Sequence, residues 1–139
     1  MSQTKTERVT IDSDSLRSEI RDKSIKVIDV RREEDYKQSH IPTAVNLPLA
    51  NLLSDDSPER VQKIFGSLGI DDETPVAVYD DTFGALASRV AWTLEYLGHV
   101  DVSLLDLTYS QWKSLGLEND QNIPDVSSKQ HSMKLNSNI

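Results

Sequence analysis

Short apolar runs alternate along this chain with segments whose apolar residues recur at helical spacing. The runs are rich in β-branched residues and predict strands over 8–11, 25–30, 45–47, 76–79 and 102–105. Spacings of three and four residues predict helices over 13–23, 58–68, 85–97 and 109–115, with shorter ones over 32–39 and 49–53. Ser13 or Asp14 is the expected N-cap of the first helix. The alternation favours an α/β fold, a parallel sheet with helices on both faces.

The stretch 76–89 carries the most functional information. Its apolar strand leads into a polar loop and then an amphipathic helix, and the loop consists of Asp80, Asp81, Thr82, Phe83, Gly84 and Ala85. Open parallel sheets bind ligands beyond the carboxyl ends of their strands, and loop N–H groups beside a helix N-terminus favour anions. We therefore interpret 80–85 as an active-site-like loop.

Asp80 and Asp81 allow three interpretations of that loop. They could form an acid–base pair. One carboxylate could instead occupy the anion site as a built-in ligand, with its pKa lowered by the N–H donors. The third interpretation is a solvated loop. Gly84 alone gives little support for a phosphate-binding loop, since the glycine-rich nucleotide motifs are absent from the sequence.

Asp29 and Arg31 lie at the carboxyl end of the strand predicted over 25–30. A buried carboxylate needs a partner to stay charged, so we predict a structural ion pair that orders the next loop, with Arg89 as one candidate partner. His40 is expected to order the turn before Pro42. The histidines at 40, 99 and 131 lack ligand spacing, and we predict neither a metal site nor a cofactor.

Composition narrows the function classes. The 139 residues suit one domain, and a net charge of −8 argues against binding to nucleic acid or to an anionic membrane. The absence of cysteine excludes disulfides and thiol nucleophiles in this chain. With no apolar leader and no run long enough to span a bilayer, the expected location is the cytoplasm.

Two blocks of the sequence resemble the rhodanese family of sulfurtransferases. The first runs from Val27-Ile28-Asp29-Val30-Arg31 to His40-Ile41-Pro42-Thr43-Ala44-Val45-Asn46-Leu47-Pro48, and the second from Val76-Ala77-Val78-Tyr79 through Arg89-Val90-Ala91-Trp92 to Trp112. The resemblance covers about residues 9–116. It implies a five-stranded parallel sheet and a cysteine after the central strand, which accepts a sulfane sulfur as a persulfide. Here Asp80 or Asp81 stands at that position.

The resemblance also implies a role without catalysis. Tandem sulfurtransferases of this family have a first domain that lacks the cysteine, and this chain resembles those first domains. We therefore expect a rhodanese-like domain over 8–117, followed by a polar tail or inter-domain connector over 118–139. The expected partner is a second rhodanese domain of the same protein, or another copy in a homo-oligomer. A free-standing binding or regulatory module is the alternative, and an enzyme that uses Asp80 or Asp81 as a carboxylate nucleophile is a third.

Overall fold

The computed structural model describes residues 9–53, 57–71, 73–99 and 101–124. In chain order its elements are β1 (Thr10–Ile11), α1 (Ser13–Arg21), β2 (Lys26–Asp29), α2 (Glu33–Gln38), β3 (Val45–Asn46), α3 (Leu49–Leu53), α4 (Pro58–Ser67), β4 (Val76–Tyr79), α5 (Ala87–Tyr96), β5 (Val102–Leu105) and α6 (Tyr109–Ser114). Most of the predicted connector, 125–139, lies outside the described residues. No helix in the described part of the chain is long and apolar enough to cross a membrane.

The five strands form one parallel sheet in the order β1-β5-β4-β2-β3. This confirms the predicted fold class. The central strand is β4, and its residues pair with β2 on one side and β5 on the other. Parallel strands end at the same edge of the sheet, so the register sets Asp29 of β2 directly beside Tyr79 of β4.

Side chains of β4 alternate between two apolar clusters. Val76 and Val78 pack into the first cluster, and Ala77 and Tyr79 pack into the second, as the two-residue period of a strand requires. The first cluster also contains residues of α3, α4 and α5, and the second contains residues of α1, α2 and α6. Helices therefore cover both faces of the sheet.

The start of α1 differs from the prediction. Asp12 is the N-cap, with extended backbone angles, and its carboxylate accepts a hydrogen bond from the Ser15 N–H at 2.7 Å. The prediction of Ser13 or Asp14 was therefore wrong. Each of these neighbouring polar side chains can cap a helix, and the position is set by Ile11, which is buried at the end of β1 immediately before the cap.

Candidate functional site: the loop after the central strand

The loop of interest joins the central strand to α5. It follows Tyr79, the last residue of β4, and reaches α5 at Ala87. The N–H of Ser88 already donates to the Gly84 carbonyl at 2.9 Å, so the first turn of α5 begins inside the loop. Several backbone N–H groups of this turn consequently point into the loop, where helix starts leave such donors unpaired.

Asp80 takes up these donors. The residue is buried, with 2% of its surface exposed. Its Oδ1 accepts hydrogen bonds from the N–H groups of Thr82 at 2.9 Å and Gly84 at 3.0 Å. Its Oδ2 accepts from the N–H groups of Leu86 at 2.9 Å and Ala87 at 2.7 Å, and from the Thr82 hydroxyl at 2.9 Å. Four backbone donors and one hydroxyl thus converge on one carboxylate.

These contacts determine the charge of Asp80. Burial by itself disfavours the ionised carboxylate, but the N–H donors of Thr82, Ala87 and Gly84 outweigh it and lower the pKa of Asp80 below the ordinary value of 3.8. A lowered pKa keeps the carboxylate ionised at neutral pH. Among the three interpretations of the loop, this geometry matches a built-in carboxylate in the anion site.

Asp81 points to a different part of the fold. Its Oδ1 accepts a hydrogen bond from the Ser110 N–H at 2.9 Å, and its Oδ2 accepts from the Ser110 hydroxyl at 2.8 Å. The backbone carbonyl of Asp80 also accepts from the Tyr109 N–H at 3.0 Å. The two aspartates therefore bind separate donors and do not form an acid–base pair. Together they attach the loop to the start of α6.

The tip of the loop has unusual backbone conformations. Phe83 has a φ of +58° and Gly84 a φ of +92°, so both lie in the left-handed region. A Cβ at Gly84 would meet no heavy atom within 4 Å, which means that the backbone angle, not space, favours glycine there. Phe83 carries a large side chain in the same region and leaves it 85% exposed.

Asp29 is the centre of a second buried network. Its side chain is fully buried and forms an ion pair with Arg31 at 2.7 Å between Oδ2 and Nη2. The Arg31 N–H donates to Oδ1 at 2.8 Å, and the Tyr79 hydroxyl donates to Oδ2 at 2.5 Å. Burial and the Asp29 charge raise the pKa of Tyr79 well above 10.0, so the phenol stays a donor.

The partner of Asp29 is therefore Arg31. Arg89, the other candidate, lies on α5 with its guanidinium carbon 5.6 Å from the centre of the Trp92 ring. Arg31 also donates to the Ser39 carbonyl at 2.6 Å and lies 4.0 Å above the Tyr109 ring. Sequence reasoning missed Tyr79, although its place opposite Asp29 at the end of a neighbouring parallel strand was a usable signal.

His40 connects α2 to the segment after α6. The ring is buried and stacks on Tyr36 at 4.0 Å, with Nδ1 2.7 Å from the Tyr36 carbonyl and Nε2 2.6 Å from the Asn122 carbonyl. Backbone N–H groups and carbonyls of His40 and Asp120 also pair in both directions at 2.8 Å. His40 thus joins α2 to the segment after α6, and the sequence carried no signal for its contact with Asn122.

A cleft of about 420 Å³ opens beside the loop at the carboxyl edge of the sheet. Basic and acidic side chains both line it, among them Arg31, Arg32, Lys113, Asp35 and Asp81. Arg32 is partly engaged, since its Nε donates to Asp35 at 3.2 Å. Among the residues that the structure describes, no group of three or more histidine or carboxylate side chains could hold a metal ion.

Comparison with known proteins places this fold and loop in a family. The model of the rhodanese-like domain matches residues 12–115, which is most of the chain. The chain belongs to the rhodanese-like domain family. The match includes both the loop after β4 and the Asp29 network.

Relatives of this rhodanese-like domain include sulfurtransferases. It is 34% identical over 114 residues to the 3-mercaptopyruvate sulfurtransferase of Mus musculus, a match that covers 75% of this chain and 36% of the relative. It is 32% identical over 108 residues to a putative thiosulfate sulfurtransferase of Synechococcus elongatus, covering 70% of this chain and 34% of that protein. The domain thus spans about one third of the length of these curated relatives.

Solved structures give the same fold. The 3-mercaptopyruvate sulfurtransferase SseA of Escherichia coli superposes with a TM-score of 0.82 at 24% identity, covering 94% of this domain and 56% of that chain. The thiosulfate sulfurtransferase of Pseudomonas aeruginosa superposes with a TM-score of 0.66 at 30% identity, covering 82% of this domain and 20% of that chain. The rhodanese-like domain described here has the fold of these enzymes and no cysteine in its sequence.

Proposed function

We propose that this rhodanese-like domain is the non-catalytic N-terminal domain of a thiosulfate or 3-mercaptopyruvate sulfurtransferase, and that it packs on a cysteine-bearing catalytic domain of the same protein. The observation that carries the proposal is the position of Asp80. Its carboxylate is buried in the N–H donors of the loop that the family uses for its reactive sulfur.

The chemistry of sulfur transfer explains why Asp80 argues against catalysis. A cysteine thiolate attacks the outer sulfur of thiosulfate, sulfite leaves with the electron pair of the broken S–S bond, and the resulting persulfide passes its outer sulfur to an acceptor. A carboxylate oxygen offers no equivalent persulfide. The five hydrogen bonds to Asp80 stabilise its negative charge, which also makes it a poor nucleophile toward other electrophiles.

The lengths of the relatives support a second domain. The matched segment is only 36% of the mouse sulfurtransferase and 34% of the Synechococcus protein. A protein of their length has room for another domain of this size. A catalytic cysteine in that second domain would explain how a chain without one can belong among proteins named for sulfur transfer.

The test compares this chain with the complete product of its gene. We expect no thiosulfate:cyanide or 3-mercaptopyruvate:cyanide transfer by residues 1–139, and transfer by the complete product. A Cys→Ser change in the second domain should abolish that activity. Measurable transfer by residues 1–139 alone, lost in Asp80→Ala, would contradict the proposal.

The coding sequence after Ile139 separates the alternatives at little cost. A second rhodanese block with a cysteine supports the proposal. A stop codon there would favour a free-standing binding or regulatory module. Trapping of a covalent acyl-phosphate on Asp80 or Asp81 would instead support a carboxylate nucleophile.

A further inference from the structure

The buried ring of His40 lies between two carbonyl groups. Its Nδ1 is 2.7 Å from the Tyr36 carbonyl oxygen, and its Nε2 is 2.6 Å from the Asn122 carbonyl oxygen. A carbonyl only accepts hydrogen bonds, whereas a neutral imidazole has one N–H donor and one bare nitrogen that is itself an acceptor. A neutral ring can therefore satisfy one of these carbonyls and sets a lone pair against the other. An imidazolium has two N–H donors and satisfies both.

The lengths of the two contacts also fit a charged ring. Neutral N–H···O bonds are most often about 2.9–3.0 Å long, and charge-assisted bonds are shorter, at about 2.7–2.9 Å. Neither contact of His40 is longer than 2.7 Å. The ring also stacks on Tyr36 with centres 4.0 Å apart and planes 12° from parallel, and the face of an aromatic ring attracts a cation. These contacts offset the cost of burying a charge.

Asp120 supplies an opposite charge from the segment after α6. Its backbone N–H and carbonyl pair with those of His40 at 2.8 Å. The N–H groups of Asn122 and Gln121 lower the pKa of the Asp120 carboxyl, and the charge of His40 lowers it further. Asp120 is therefore ionised at neutral pH and favours a cation at His40. From α2, the ring is faced by the Tyr36 phenol, which is uncharged because burial raises its pKa to about 12.

The strand ends next to His40 add no net charge. Arg31 donates to the carbonyl of the residue before His40, and it forms an ion pair with Asp29. On the other side of His40, the Ile41 N–H donates to the Tyr79 hydroxyl. That phenol is neutral, because burial raises its pKa well above 10.0. Among the described groups around the ring, the unbalanced charge is therefore the negative charge of Asp120.

We infer that His40 is held as an imidazolium that attaches residues 120–122 to α2, and that this attachment opens at Asn122 as rising pH removes a ring proton. The burial of the two contacts selects the one that breaks. The contact of Nδ1 with the Tyr36 carbonyl is buried, whereas the contact of Nε2 with the Asn122 carbonyl is partly exposed. Water can satisfy a freed carbonyl only where it has access. The neutral ring therefore keeps its proton on Nδ1 and releases Asn122, so that pH controls how the first residues of the predicted connector attach to the domain.

Nitrogen NMR of the ring tests the charge directly, because bare and protonated ring nitrogens have different chemical shifts. We expect both ring nitrogens of His40 to carry a proton at about pH 7. As the pH rises, Nε2 should lose its proton, and the carbonyl carbon of Asn122 should shift with it while that of Tyr36 shifts less. A neutral ring at about pH 7 would overturn the inference, and so would a titration that moves the Tyr36 carbonyl in place of that of Asn122.

Urea unfolding tests the energetic consequence in the same chain. A proton that the folded state binds more tightly than the unfolded state stabilises the fold at low pH, and this contribution is lost as the pH rises. The measurements are made at about pH 5.5 and about pH 8.5, on either side of the ~6.5 at which a free histidine titrates. From the lower to the higher pH, the unfolding equilibrium constant of the wild type should rise about tenfold relative to that of His40→Gln, whose side chain does not titrate.

The matched control is the same substitution at another buried histidine. The Nε2 of His99 lies 2.7 Å from the Thr74 carbonyl, and His99→Gln should keep the pH dependence of the wild type. An equal ratio of the wild-type and His40→Gln constants at both pH values would overturn the inference. Loss of the pH dependence in His99→Gln would overturn it as well, because the titrating group would then be His99. If His40→Gln does not fold, the ring nitrogens of the wild type decide alone.

Discussion

At the scale of single residues, Asp80 offers a direct test of how the loop is held. Its carboxylate accepts the hydrogen bonds of the Gly84 and Ala87 N–H groups, at 3.0 and 2.7 Å. An asparagine keeps the shape of the side chain but loses the negative charge. It also places its NH₂ group, which is a donor, against the N–H donors of the loop. We expect Asp80→Asn to lower the free energy of unfolding at pH 7 by about 2–4 kcal/mol, measured by urea denaturation.

The difference in the free energy of unfolding between the wild type and Asp80→Asn should depend on pH, because the pKa of Asp80 is lowered in the fold. A carboxylate whose pKa is lower in the folded than in the unfolded state stabilises the fold above the unfolded pKa, and this contribution is lost as pH falls through the folded pKa. The gap between the wild type and Asp80→Asn should therefore shrink as the pH drops below 3.8. An equal gap at pH 7 and pH 2.5, about one unit below that value, would contradict an ionised Asp80.

Thr43 offers a second test at this scale, in which the substitution is expected to raise the free energy of unfolding rather than lower it. It lies in the turn closed by the Ala44 N–H to Ile41 carbonyl bond of 3.0 Å, and its φ is +73°. Proline at the second position of a turn and a positive φ at the third position are the features of a type II turn, which favours glycine at that third position. We expect Thr43→Gly to raise the free energy of unfolding by about 0.5–1 kcal/mol. This is the cost of the left-handed conformation for a non-glycine residue, minus the extra conformational entropy that glycine loses on folding.

The control for Thr43→Gly is Thr43→Ala. Alanine removes the β-branch but keeps the Cβ that opposes a positive φ, so it should recover much less stability. Both variants change an exposed side chain, which limits other effects. Thermal and urea unfolding of the three proteins compare them. Equal stabilisation by alanine and glycine would show that the backbone angle is not the cause.

At the scale of elements, hydrogen bonds attach the segment after α6 to the rest of the fold. The Trp112 indole N–H donates to the Glu118 carbonyl at 2.7 Å, and His40 binds the backbone of Asp120 and the Asn122 carbonyl. A chain that ends at Leu117 leaves the buried Trp112 and His40 without these partners. We expect it to be about 2–4 kcal/mol less stable than a chain that ends at Pro124.

The matched control keeps the backbone of that segment and removes one charge. Glu118 pairs with Arg17 at 2.8 Å through a side chain that is 59% exposed, so Glu118→Gln should cost about 0.5 kcal/mol or less. Unfolding in urea ranks the three chains. If Glu118→Gln matched the truncation, the surface ion pair and not the backbone pairing would hold the segment.

The sequence predicts elements better than it predicts the contacts between them. Apolar runs locate the strands because burial on both faces of a parallel sheet demands them, and the central run 76–79 matches β4 at both ends. The anchoring of 118–122 has no such signature, since it depends on backbone groups of polar residues, which the sequence predicts to be a connector. The ion pair of Asp29 with Arg31 was predicted from the sequence, but the sequence also left Arg89 as a possible partner, and only the structure assigns the pair to Arg31.

The candidate site shows the same division. The strand, the loop and the helix start of 76–89 follow from pattern, and so does an anion site at their junction. Which of two adjacent aspartates enters that site depends on where the helix begins, because the N–H groups of Leu86 and Ala87 must reach the carboxylate. The positive φ of Phe83 is likewise a consequence of closing the loop around Asp80, and the conformational preference of phenylalanine does not predict it.

At the scale of the whole molecule, the net charge and the exposed rings of Phe83 and Trp92 have opposite effects on self-association. The net charge is −8 at pH 7 and falls to zero near the pI of 4.8. Repulsion should keep residues 1–139 monomeric at pH 7 and low salt, and it should vanish near pH 4.8. Asp80 stays ionised there, because its pKa lies below 3.8, and the loop therefore keeps Phe83 exposed.

We expect the second virial coefficient of residues 1–139 to be positive at pH 7 and negative near pH 4.8, by static light scattering. Phe83→Asn should make the value at the pI less negative, because it removes an aromatic ring that is 85% exposed. Leu115→Asn, which removes an exposed side chain at the C-cap of α6, should change the coefficient less. If the two substitutions acted equally, the attraction would come from exposed apolar area in general and not from Phe83 in particular. Attraction that persisted at pH 7 in dilute buffer would show that the charge of the chain does not keep its copies apart.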